Sequence, residues 1–148
     1  MIVAVLDTTV LISAFITPQG CGGVLVLNTP PLGFSLFLSL EIVEEARSRL
    51  LNRARLRKRY HYSDSEVEQY INVLYNTARF VVELPAIHVV RDPNDDFVLA
   101  TALKAQADYL VSYDKDLLVI KHYSGVEIVA PGDFLRILRA QQQDAPLP

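Results

Sequence analysis

The chain alternates between short apolar runs and longer stretches in which apolar residues recur every three or four positions. The short runs are rich in β-branched residues and too apolar to face water, which predicts strands buried on both faces. The longer stretches predict amphipathic helices, and Ser39 and Ser63 are typical helix caps. The predicted strands are 2–6, 34–38, 109–112 and 126–129 with an extended segment at 80–84, and the predicted helices are 10–15, 24–27, 39–51, 53–60, 63–78, 95–105, 115–119 and 131–140.

This alternation predicts an α/β fold, in which helices cover both sides of a central, mainly parallel sheet. The chain has 148 residues, 51% of them hydrophobic, with no internal repeat and no linker. We therefore expect one domain over residues 1–140 and a frayed tail over 141–148.

The cellular location is predicted from cysteine usage and apolar run lengths. The single cysteine, Cys21, excludes an internal disulfide framework and suits a reducing cytoplasm. The N-terminus lacks a basic leader, and the apolar segment 30–40 is too short to span a bilayer. A cytoplasmic protein without membrane contact is expected.

Four short acidic segments lie beside these apolar runs, centred on Asp7, Glu45, Asp95 and the pair Asp114 and Asp116. A buried carboxylate is costly unless a cation, a hydrogen-bond donor or a metal pairs with it. No Lys or Arg lies within a few residues of Asp7. Several such carboxylates in one place indicate Mg²⁺ or Mn²⁺, which bind carboxylate oxygens and assist phosphoryl chemistry.

Strand ends and helical periodicity predict which acids meet. Asp7 and Asp114 each follow a buried strand, and sites in parallel sheets form at the carboxyl ends of the strands. At about 100° per residue, Glu45 flanks the apolar face of its helix, whereas Glu41 and Glu44 lie opposite it.

The same construction places Asp95 in line with the apolar stripe of the helix after Pro93, and Asp96 to the side. Asp92 is expected to cap that helix. Asp114 ranks above Asp116, which is a second-tier ligand or water-positioning residue because aspartates after strands often form turns. The predicted metal and catalytic residues are thus Asp7, Glu45, Asp95 and Asp114.

Half of the 14 Lys and Arg residues fall between Arg47 and Arg59, although the net charge of the chain is −3. Such a run is usually a solvated helix face, and it is also able to attract a phosphate backbone.

Four motifs together resemble the PIN domain. They are D-T-x-V-L-x-S-A at Asp7, S-x-x-x-x-x-E ending at Glu45, D-P-x-D ending at Asp95, and V-S-x-D-x-D-L around Asp114. The resemblance extends to the closing I-V-A-P-G-D-F-L, and it is strongest to small prokaryotic PIN proteins related to VapC, the toxins of toxin–antitoxin systems.

The resemblance implies a three-layer α/β/α sandwich and an Mg²⁺- or Mn²⁺-dependent endoribonuclease that cuts single-stranded RNA. It also implies a homodimer or higher homo-oligomer, neutralised by a cognate antitoxin protein. The family's acidic residues fall on Asp7, Glu45, Asp95 and Asp114. Thr9 stands where the family usually has Asn, in the loop after the first strand.

Three other functions stay open. A phosphatase of the haloacid dehalogenase type needs a second aspartate where this chain has Thr9, which argues against it. A PIN-like scaffold would bind RNA or a protein without cutting. The third is a nuclease that acts on structured RNA or DNA ends rather than on single strands.

Overall fold

The computed structural model of the chain describes residues 1–143, which form a six-stranded sheet and nine helices. The strands are β1 (Ile2–Leu6), β2 (Phe34–Leu38), β3 (Arg79–Phe80), β4 (Tyr109–Val111), β5 (His122–Tyr123) and β6 (Val126–Val129). The helices are α1 (Thr8–Ile16), α2 (Cys21–Leu27), α3 (Thr29–Leu32), α4 (Leu40–Asn52), α5 (Ala54–Tyr60), α6 (Asp64–Thr77), α7 (Pro93–Lys104), α8 (Lys115–Leu118) and α9 (Pro131–Gln143).

The sheet has the strand order β3-β2-β1-β4-β6-β5, and only the β5–β6 pair is antiparallel. β1 lies in the middle, and its last three residues are fully buried, as its apolar sequence predicts. Helices flank the sheet, so the predicted α/β sandwich with a mainly parallel sheet is confirmed. All parallel strands end at one edge, and that edge carries the acidic residues described below.

α2 packs against α1 and against the loop that joins the two helices, and Gly22 and Gly23 permit these close approaches. A Cβ atom at Gly23 would lie 2.0 Å from the carbonyl oxygen of Pro18, far inside contact distance. The neighbouring Gly22 has a milder constraint, since its Cβ would lie 3.1 Å from the carbonyl oxygen of Val10. Two glycines inside a short helix weaken its intrinsic stability, so tertiary packing stabilises α2.

The structure departs from the sequence prediction in several local places. α1 begins at Thr8 rather than at residue 10, because the Asp7 side chain itself caps the helix. Residues 29–32 form the short helix α3, and neither α3 nor β5 was predicted. Of the extended segment predicted at 80–84, only Phe80 lies in a strand, β3.

The C-terminal helix is longer than predicted. α9 runs to Gln143, where residues 141–148 were expected to be frayed, and the side-chain amide of Gln142 donates a hydrogen bond to the carbonyl of Pro31 in α3. This contact holds the last turn against the domain. The rest of the predicted tail, residues 144–148, lies outside the described residues.

Within residues 1–143, no single helix is long and apolar enough to cross a membrane. α1 and α2 together have sufficient length and apolar composition, but they are bent by 94° relative to each other.

Candidate active site

Asp7 lies at the carboxyl end of the central strand and is almost completely buried, with 2% of its surface exposed. Its carboxylate accepts hydrogen bonds from the Ser112 hydroxyl, from the Thr9 hydroxyl at 2.6 Å and from the Val10 backbone N–H at 3.0 Å. Burial raises the pKa of Asp7 to about 6, although these hydrogen bonds act in the opposite direction. The charge of Asp114 also raises this pKa.

The sheet register explains why Ser112 reaches Asp7. Leu6 of β1 is paired with Val111 of β4, and the Asp7 N–H donates to the Val111 carbonyl at 3.0 Å. Asp7 and Ser112 are therefore the next residues of two adjacent strands. A small hydroxyl following β4 thus lies where it can bond the carboxylate following β1.

Two hydroxyls connect Asp7 to the loop that carries Asp114. Thr9 Oγ1 accepts from the Tyr113 N–H at 3.1 Å while it donates to Asp7. Ser112 Oγ accepts from the Asp114 N–H at 2.8 Å while it donates to Asp7. Each hydroxyl uses both its donor and its acceptor capacity. The position of the loop is therefore coupled to the position of Asp7.

Asp95, Asp114 and Asp116 form a compact cluster of carboxylates. Each offers an oxygen that lies within 4.8 Å of the oxygens of the other two. Asp114 caps α8, accepting from the Asp116 N–H at 2.9 Å, and this turn brings the two side chains together. Within residues 1–143, none of the three forms an ion pair with Lys or Arg.

Partial burial and the neighbouring carboxylates both raise the pKa of Asp95. This pKa is raised to about 7, mainly by burial and then by the charges of Asp114, Asp92 and Asp7. Ser112, which bonds both Asp7 and the Asp114 N–H, connects the buried strand-end aspartate to the cluster. Three carboxylates without a basic partner offer the all-oxygen donor set that Mg²⁺ and Mn²⁺ bind.

The position of α7 determines where Asp95 lies. The hydroxyls of Ser39 and Thr101, both fully buried, are 2.8 Å apart and join the end of β2 to the middle of α7. Asp92 caps α7 by accepting from the Asn94 N–H at 3.0 Å, as expected. Asp95 then falls in the first turn of α7, half-buried at the edge of the sheet.

Asp96, which the helical periodicity places to the side of the apolar stripe, has a structural role that was not predicted. It is 8% exposed and accepts hydrogen bonds from the N–H groups of Val89 and Val90, at 2.9 and 2.8 Å. Asp96 therefore fixes the irregular segment that precedes α7. Helical periodicity missed this role because the partners of Asp96 come from outside its helix.

Glu45 lies apart from the three-aspartate cluster and is already engaged. Its Oε2 accepts from the Thr8 hydroxyl at 3.1 Å, and its Oε1 forms an ion pair with Arg49. Oε1 is buried and receives no well-directed hydrogen bond. The side chain is 17% exposed, whereas Glu41 and Glu44 are exposed, as the helical periodicity predicts.

Of the predicted residues, the structure thus brings Asp95 and Asp114 together with Asp7 beside them, and leaves Glu45 paired with Arg49. It adds Asp116 to the cluster as a full member. The sequence feature that indicated Asp116 was the Asp-x-Asp spacing. Asp114 caps α8 and Asp116 is the second residue of that helix, so the two side chains share one turn. Thr9 and Ser112 join the site as the residues that hold Asp7.

Comparison with known proteins identifies the family. A model of the PIN domain matches residues 3–116, which include all the acidic residues of the site and end at Asp116. The closing I-V-A-P-G-D-F-L lies outside the matched residues. A search of curated proteins found no match. PIN domains are generally nucleases and generally use divalent metal ions. The match covers more than half of the chain, which therefore belongs to the PIN domain family.

Proposed function

We propose that this protein is an Mg²⁺- or Mn²⁺-dependent endoribonuclease that cleaves single-stranded RNA. The observation that carries the proposal is the cluster of Asp95, Asp114 and Asp116, whose carboxylates meet without a basic partner beside the buried Asp7. Structural aspartates normally gain a donor or a cation on folding. A cluster that instead raises the pKa of Asp95 to about 7 is typical of a site built for a divalent cation.

Asp95, Asp114 and Asp116 would hold the ion, with Asp7 beside them. Glu45 is proposed as a further ligand, and that role requires its ion pair with Arg49 to open. A bound Mg²⁺ or Mn²⁺ would supply a Lewis acid for the phosphate and a water of lowered pKa.

The residues of the chain prepare this site in two ways. Thr9 and Ser112 fix the Asp7 carboxylate, and their other hydrogen bonds hold the backbone at Tyr113 and Asp114. The pKa of Asp95 is raised to about 7 by burial and by the neighbouring carboxylates. A bound cation would compete with a proton for this carboxyl, so affinity for the ion should increase with pH.

A biological role as the toxin of a toxin–antitoxin pair is part of the proposal. It is supported by the small size of the domain and by the motif resemblance to VapC-like proteins. We further propose that the protein forms a homodimer in the cytoplasm and that a cognate antitoxin neutralises it. Induced expression should arrest growth, and coexpression of the neighbouring open reading frame should restore it. Sedimentation of the purified protein tests the dimer.

The nuclease proposal is tested with labelled single-stranded RNA and DNA, incubated with Mn²⁺ or EDTA. Wild-type protein should cut RNA only with Mn²⁺, and Asp7→Asn should abolish cleavage. Glu41→Gln, a change at an exposed carboxylate on α4, should cleave normally. Cleavage in EDTA or by Asp7→Asn refutes a metal-dependent site. Binding without cleavage supports a scaffold, and preference for duplex ends or DNA supports a different substrate.

A further inference from the structure

The positive charge of this chain is concentrated in one segment. Residues 47–63 contain seven of the 14 Lys and Arg residues and no Asp or Glu. The other 131 residues carry seven Lys or Arg against 17 Asp and Glu, a net charge of −10. A polyanion is therefore repelled by most of the molecule and attracted by this segment.

Three of the seven cations are neutralised within the fold. Arg47 pairs with Glu68 at 2.7 Å. Arg49 pairs with Glu45, and Arg57 pairs with Asp64. Arg47 and Arg57 thus pair with α6, and Arg49 pairs within α4, so none of the three contributes an unpaired charge to the surface.

The other four cations are exposed. They are Arg53, Arg55, Lys58 and Arg59, and in the part of the chain that the structure describes none of them forms an ion pair. They lie on or immediately before α5, a helix with no buried residue. We call these four residues, together with Tyr60 at the end of the helix, the basic face.

An aromatic side chain and a concave surface belong to the basic face. Residues 55, 56 and 58–60 line an open groove of about 470 Å³, whose lining is mainly apolar. Tyr60 is 41% exposed, and the guanidinium of Arg59 lies 5.3 Å from the centre of its ring. Exposed cations beside an exposed aromatic ring are the combination with which proteins hold single-stranded nucleic acids, through phosphates and stacked bases.

We propose that the basic face binds the sugar-phosphate backbone of the RNA at a position remote from the cleavage site, with Tyr60 stacking on a base. The choice of RNA as occupant rests on the proposed ribonuclease function. The charge distribution supports it independently, since a molecule with −10 on its other residues needs a local cationic surface to retain a polyanion.

α4 sets the separation between the two sites. Glu45 of α4 contacts Thr8 beside Asp7, and Arg53 of the basic face follows eight residues later, which is about 12 Å along a helix. One strand of a stacked nucleic acid rises about 3.4 Å per nucleotide, so about four nucleotides cover this distance. A trinucleotide is too short to contact both sites, whereas a 20-nucleotide RNA is long enough.

The test compares binding of a fluorescent 20-nucleotide RNA to two triple variants made in the Asp7→Asn background, which prevents cleavage. One variant carries Arg55→Gln, Lys58→Gln and Arg59→Gln. The matched control carries Lys104→Gln, Lys121→Gln and Arg139→Gln, three exposed cations elsewhere. For single strands, the logarithm of the binding constant falls by about 0.7 per phosphate contacted for each tenfold increase in salt concentration, and this is the salt slope. The first variant should lower this salt slope by about 2, and the control should leave it unchanged.

Equal slopes for both triple variants would overturn the proposal, provided that circular dichroism shows both to be folded. Stronger binding of polyglutamate than of RNA, lost in the same variant, would assign the basic face to an acidic protein and also overturn it. Tyr60→Leu separates stacking from charge, because it should weaken RNA binding without changing the salt slope.

Cleavage separates this inference from the proposed function. In the wild-type background the basic-face variant should cleave a 20-nucleotide RNA more slowly at low substrate concentration and a trinucleotide at the normal rate. If the protein binds RNA through the basic face but cleaves nothing, the inference stands and the nuclease proposal fails. If cleavage of both RNAs is unchanged, the nuclease proposal stands and the inference fails.

Discussion

Replacing Asp7 with asparagine should stabilise the metal-free protein at alkaline pH while removing its activity. Asp7 is 2% exposed, and its pKa is about 6 in the folded chain against an ordinary value of 3.8. The native state therefore binds more protons than the unfolded state between about pH 4 and 6. The free energy of unfolding decreases as pH rises through this window, and the full cost is present above pH 6.

Raising the pKa of Asp7 from 3.8 to about 6 corresponds to a cost of roughly 3 kcal/mol. Asparagine carries no charge, and its Oδ1 is able to accept the bonds from Thr9 and Val10. Its amide group matches Ser112 less well, because the serine hydroxyl already accepts from the Asp114 N–H. We therefore expect a net gain of about 2 kcal/mol, or roughly 4–8 °C in Tm for a domain of this length.

The assay is urea unfolding in EDTA at pH 8 and pH 5, followed by circular dichroism. Asp7→Asn should have the higher midpoint at pH 8 and an unchanged m-value, and the difference should shrink at pH 5. Glu127→Gln, at an exposed carboxylate on β6, should behave as wild type at both pH values. A midpoint for Asp7→Asn at or below that of wild type at pH 8 would refute the reasoning that burial makes this carboxylate costly.

Three further predictions concern other parts of the molecule. Asp116→Asn should weaken Mn²⁺ binding at least tenfold in calorimetry because it removes one of the three clustered carboxylates, and unchanged affinity would exclude Asp116 as a ligand. Thr9→Val should lower the free energy of unfolding by about 1–3 kcal/mol and slow cleavage, because it removes the hydroxyl between Asp7 and the Tyr113 N–H. Thr9→Ser keeps the hydroxyl and should retain wild-type stability and cleavage rate. Gly23→Ala should lower Tm measurably in calorimetry, since its Cβ would lie 2.0 Å from the carbonyl oxygen of Pro18. An unchanged Tm would contradict the close approach described between α2 and the loop before it.

The sequence predicted the parallel strands and most helices because their signals are local and strong. β1 and β2 have the predicted limits, since an apolar run buried on both faces is hard to mistake. The short β5 and α3 were missed because two to four residues carry too little periodicity, and their formation depends on neighbouring elements.

The positions of the site residues could be predicted from sequence where they depend only on the end of a strand or on one face of a helix. Asp95 and Asp114 were placed together because one edge of a parallel sheet collects both. The engagement of Glu45 by Arg49 and the backbone contacts of Asp96 depend on side-chain rotamers and on chain segments outside each helix. Helical periodicity contains no information about either.

The central claim is that the carboxylates at this edge form one site for a divalent cation. It is tested most directly by anomalous diffraction from crystals of the wild-type protein grown with Mn²⁺. We expect an anomalous peak between the carboxylates of Asp95, Asp114 and Asp116. A peak elsewhere on the molecule, or no peak at saturating Mn²⁺, would contradict it.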